Sequence, residues 1–88
     1  MSQNLNIDAS AALALFEFLS RTLDDEKGEK LRDVVIHDGE LWALNRLLGA
    51  LEKELTAPFE TNYQDQVNAA FETLVIEAGA WPTSVQPK

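Results

Sequence analysis

Leu41, Leu44, Leu48, Leu51 and Leu55 recur at alternating steps of three and four. About 3.6 residues complete each turn of an α-helix, so this spacing lays all five along one side. The flanking residues set the limits of that helix. Asp38 is placed to cap its first amides, Gly39 eases its start and Glu40 sits favourably in the first turn. Pro58 disfavours the α conformation at Ala57, so the helix should end near Leu55 or Thr56. The seam is about two heptads long, too short for a sustained coiled coil. Leu47 broadens the stripe, as the central helix of a bundle requires. Gly49 costs about 1 kcal/mol mid-helix relative to alanine. With Ala43 and Ala50 on neighbouring faces, it points to the close approach of another helix.

Amphipathic segments lie on both sides. Residues 9–23 form a first helix, capped by Asp8 or Ser10. Ala12, Leu15, Phe16, Leu19 and Leu23 make its buried stripe, and Glu17 and Arg21 make a favourable i,i+4 pair. Leu13 and Phe18 lie off that stripe, so more than half the circumference is apolar. Such a helix is covered on two sides, by its own chain or by a partner. The mixed-charge residues 24–30 form a connector around Gly28. Val34, Val35 and Ile36 are β-branched neighbours that favour a short strand. Thr61 and Gln64 have capping-box spacing for a third helix reaching about Ala78, with Gly79 as its stop. Tyr63, Val67, Ala70, Phe71, Leu74 and Ala78 form its stripe. Ala80 and Trp81 are expected to fold back onto the core.

The fold expected is mainly α: a three-helix bundle-like domain over residues 1–81, with a flexible tail at 82–88. Residues 4–7 and 34–36 allow a short two-stranded β ribbon. Eighty-eight residues make one domain, near the lower limit for a single core.

Composition narrows the function classes. Cysteine is absent, which excludes disulfides, thiolate metal sites and thiol catalysis. No signal peptide or bilayer-length apolar run is visible, so a cytoplasmic location is expected. Fifteen acids against seven bases give a net charge of −8. Nucleic acid and anionic membrane both need a basic surface and are poor partners. An acidic surface favours basic protein patches instead.

Chemistry-bearing groups are sparse. His37, the only histidine, stands beside Asp38 and Glu40, a set that could bind a metal or act as general base. One imidazole without cysteine is a thin ligand set, and a capping role accounts for the same residues. The acids of residues 24–29 do not match the spacing of an EF-hand loop. No serine has an accompanying base in sequence, and no glycine-rich phosphate loop occurs. No enzymatic activity, cofactor or resident metal is expected. The surface offers more. Asp65 and Glu72 share one side of the third helix, and no base occurs between Lys53 and Lys88. Trp42 flanks the leucine stripe in line with Arg46, as an interface anchor would.

Residues 13–19 (Leu-Ala-Leu-Phe-Glu-Phe-Leu), the Ile-His-Asp junction at 36–38, Leu-Trp-Ala-Leu at 41–44 and Leu-Glu-Lys-Glu-Leu-Thr-Ala-Pro-Phe at 51–59 together resemble small bacterial helical proteins of unknown function. The resemblance covers much of residues 5–75 and implies a bacterial or phage origin. It carries over no activity and no site residues.

The leading expectation is a small acidic, non-catalytic protein-binding domain. It would self-associate as a homo-oligomer and recognise a basic protein, in the manner of an inhibitor or immunity protein. Its candidate interface is Phe18, Trp42, Arg46, Asp65 and Glu72. The alternatives are a metal-binding protein or enzyme centred on His37, Asp38 and Glu40, or a structural subunit of a larger complex.

Overall fold

A computed structural model describes residues 6–82. Among these residues three α-helices are joined by connectors that contain short π- and 3-10-helical turns, and there is no strand. α1 spans Ala9–Leu19, α2 spans Asp38–Glu54 and α3 spans Tyr63–Ala78.

Of the two candidate caps for α1, Asp8 takes the position: its carboxylate accepts the Ala11 amide at 2.7 Å. The helix does not stop at Leu19 but widens into a π-helical turn, Ser20–Asp25. Thr22, buried, lies at the centre of that turn. Its hydroxyl donates to the Phe18 carbonyl at 2.7 Å, a back-bond that bends helices. Its own carbonyl accepts the Gly28 amide, also at 2.7 Å. Lys27 and Gly28 then adopt consecutive left-handed conformations (φ 56° and 76°), and the chain reverses.

Residues 34–36 do not form the expected ribbon strand. The amides of Val34 and Val35 both donate to the Leu31 carbonyl at 3.0 Å, and that of Ile36 donates to the Glu40 carboxylate. With its donors used locally, this β-branched run has none left for a ladder. Residues 4 and 5 of the other proposed strand lie outside the described residues. The cap of α2 is also one residue earlier than expected, at His37 rather than Asp38.

α2 ends at Glu54, and a single 3-10 turn, Ala57–Phe59, carries the chain round to α3. The expected Thr61–Gln64 capping box does not form. The helix starts at Tyr63 with Asn62 at the cap, and no side chain bonds there to the open amides. Gln64 instead donates to Asn68 at 3.1 Å. Gly79 ends α3 as expected, at φ 88°, a conformation that glycine reaches without a Cβ clash.

The centre of the molecule is α1, not the leucine helix. Leu19 of α1, 1% exposed, packs with Leu48 and Leu51 of α2. Leu13, displaced from the stripe in projection, packs on Val67 and Ala70 of α3. Leu55 touches both clusters and joins them. The extra apolar width of α1 is therefore explained within the chain, because each of its two sides meets a different helix. Gly49 serves no close helix approach: a methyl group there would meet no atom within 4 Å.

Contacts along α1 and α3 fix their direction. Glu17 faces Tyr63, Leu13 faces Val67 and Ala70, and Ser10 shares a groove with Thr73. The two helices are antiparallel. α3 reaches the first turn of α1 at about Thr73 and continues past it to Ala78.

Candidate functional site

The C-terminal half of α3 carries the most distinctive surface of the protein. Phe71, Glu72, Val75 and Ile76 occupy i, i+1, i+4 and i+5 and line one shallow open depression. Ile76 is 82% exposed, and Val75 and Phe71 are exposed beside it. Trp81, just past Gly79, is 72% exposed, so the expected fold-back onto the core does not occur. The exposure on α3 has a geometric cause: at about 100° per residue, Val75 and Ile76 turn away from the Val67 and Ala70 side that packs on α1, Ile76 being opposite Val67 on the helix. Along this part of the chain the charge is all negative. Residues 54–82 contain Glu54, Glu60, Asp65, Glu72 and Glu77 and no lysine, arginine or histidine.

The five candidate interface residues do not form one surface. Phe18 lies on α1, 39% exposed, with the Arg21 guanidinium 5.6 Å from its ring centre. Trp42 is 67% exposed and stands beside Leu23 and Gly28, at the C-terminal end of α1. Arg46 is exposed one turn further along α2. Asp65 and Glu72 are exposed on α3, and Glu72 belongs to the apolar depression on its C-terminal half. Sequence reasoning missed Val75 and Ile76. The signal was present in Leu74, Val75 and Ile76, three consecutive apolar residues that spread round the helix where a simple stripe would leave polar ones.

His37, Asp38 and Glu40 have a visible structural role. Nδ1 of His37 accepts the Gly39 amide at 2.8 Å, which requires the imidazole proton to be elsewhere. Glu40 reaches back to accept the His37 amide at 3.2 Å as well as that of Ile36. The pair closes a capping box around the start of α2. Gly39 fits because a Cβ there would press on Nδ1 at 3.1 Å. Among the described residues no three or more His, Asp or Glu side chains gather where they could hold a metal ion.

One polar contact links the helices. The Tyr63 hydroxyl donates to Glu17 at 2.8 Å, and Glu17 also pairs with Arg21 at 3.4 Å. The Phe16 ring meets Tyr63 edge-on with centres 6.4 Å apart. Burial, then the hydrogen bond to Glu17 and its charge, push the Tyr63 hydroxyl above its usual pKa. This arrangement holds a tyrosine neutral and fixes register; it does not activate one.

No protein-family model matches the chain, and no curated protein or solved structure matches it either. The resemblance to small bacterial helical proteins therefore rests on its own residues. No helix among the described residues is long and apolar enough to cross a membrane.

Proposed function

We propose that this chain is a non-catalytic protein-binding domain that docks through the C-terminal half of α3. The observation that carries the reading is the exposed face itself: Phe71, Val75 and Ile76 lie exposed together, with Glu72 among them. Apolar contact supplies most of the affinity in such interfaces, and the charged rim selects the partner. The fitting partner presents an apolar anchor flanked by lysine or arginine.

Self-association through this face is the weaker form of the reading. Two-fold pairing through this face would bring Glu72 of both copies into one interface with no base among residues 54–82 to offset them. Like charges placed together at an interface disfavour it. An inhibitor- or immunity-type role, in which the acidic face covers a basic groove, is the sharpest version. A subunit of a larger complex would use the same face.

Photo-crosslinking tests the proposal. A photoreactive side chain at Ile76 should capture a protein with a basic contact surface in cells of the source, while the same probe at Arg46 should not. Crosslinks only between copies of the chain would replace the basic partner with self-association. Equal capture from both positions, or none from Ile76, would remove the assignment.

A further inference from the structure

A second surface, at the other end of α1, has different chemistry. The π-helical turn, the reversed connector and the first two turns of α2 enclose an open cleft of about 340 Å³. That volume is at the lower end of the range for small-molecule sites. Its lining comprises Leu23, Lys27, Gly28, Arg32, Asp38, Leu41, Trp42 and Asn45. Gly28 is buried at its base, where a methyl group would touch Leu41 and Leu23 at 3.8 and 3.9 Å. The broad exposed ring of Trp42 supplies an apolar wall.

The charge here runs against that of the whole molecule. The chain has a net charge of −8, yet two bases and one acid line this cleft. Ion pairs among the described residues join Arg21 to Glu17 and Lys30 to Glu26; neither Lys27 nor Arg32 takes part in one. Lys27 is also the one non-glycine residue with positive φ among those described. Sparsely populated backbone of this kind gathers at ligand-holding loops, and π-turns do the same. Here both occur in the segment that forms one side of the cleft.

We propose that this cleft binds a small organic carboxylate with a flat apolar body. The body lies against Trp42 above Leu23 and Leu41, and the carboxylate faces Lys27 and Arg32. Asp38 in the same lining opposes anions of higher charge, and Asn45 offers both a donor and an acceptor. This site is separate from the exposed face of α3, so either can fail without the other.

Amide NMR spectra of the full chain, titrated with naphthoate and in parallel with uncharged naphthamide, test it. Naphthoate should shift the Trp42 indole N–H and the Gly28 amide. Naphthamide, and naphthoate with the Lys27→Gln and Arg32→Gln double variant, should each bind about tenfold more weakly or worse. Both replaced side chains are exposed, and unchanged α1 and α3 signals would confirm the variant's fold. Equal affinity for acid and amide, shifts confined to residues 71–76, or no shift at millimolar naphthoate would overturn the proposal.

Discussion

The two halves of α3 have opposite surroundings. In the first half, Val67 and Ala70 are buried against Leu13, with Leu55 and Tyr63 packed around them. In the second, Val75 and Ile76 have no helix to pack on among the described residues. Apolar content does not explain it, because the exposed half carries the larger apolar side chains. The difference is set by rotation about α3: Val67 and Ala70 face α1, and Val75 and Ile76 face away from it. A neighbour packed on one side of a helix buries that side alone and leaves apolar residues elsewhere on the same helix uncovered.

The largest expected effect lies at the hub. Leu19→Ala should cost about 3 kcal/mol in urea unfolding, a large part of the stability of so small a domain. A loss well under 1 kcal/mol would mean that α2 is not held by its packing on α1. A closer comparison uses one residue type on one helix. Val67→Ala should cost about 2 kcal/mol, whereas Val75→Ala should stay within about 0.5 kcal/mol. Equal losses would erase the distinction between the halves.

Tyr63 tests how the buried half is held. Tyr63→Phe should destabilise by about 1 kcal/mol at neutral pH through loss of the hydrogen bond to Glu17. Because the folded-state pKa is raised above 10.0, the neutral phenol's contribution is present below that value and lost as pH climbs beyond it. The difference between the two proteins should therefore shrink in alkaline unfolding experiments. A constant difference across that window would contradict the linkage. The smallest effect is expected at Gly49, whose Cβ position is open. Gly49→Ala should raise stability by up to about 1 kcal/mol. Destabilisation there would reveal a neighbour that the three-helix packing lacks.

Much of this was legible in the residues. The leucine spacing located α2, Asp8 was one of two candidate caps for α1, Gly79 marked the end of α3, and Glu17 with Arg21 formed the expected pair. Local chemistry determines all of these. The ribbon at 34–36 failed because Leu31 and Glu40 compete for its amides, a local contest that β propensity does not weigh. The cap moved to His37 because its imidazole nitrogen reaches the Gly39 amide.

The larger omissions were non-local. The leucine stripe named a helix with a strong apolar side but could not say that α1 lies between the other two. For the same reason Phe71 looked like core and Trp81 looked tethered, while the exposed pair Val75 and Ile76 was missed. Of the five candidate interface residues, Glu72 lies beside that pair and Trp42 lines the cleft at the other end. Exposure of single residues was foreseeable; their grouping required the helix directions.

Amide hydrogen exchange along α3 tests the central contrast most directly. Protection near Val67 and Ala70 should approach that of global unfolding, while amides in the last turns, through Ala78, should exchange by local opening at much lower cost. Steep loss of protection beyond Thr73 is the result predicted. Uniform protection from Tyr63 to Ala78 in the isolated chain would mean that the second half of α3 is already packed, and the binding face assigned to it would not exist.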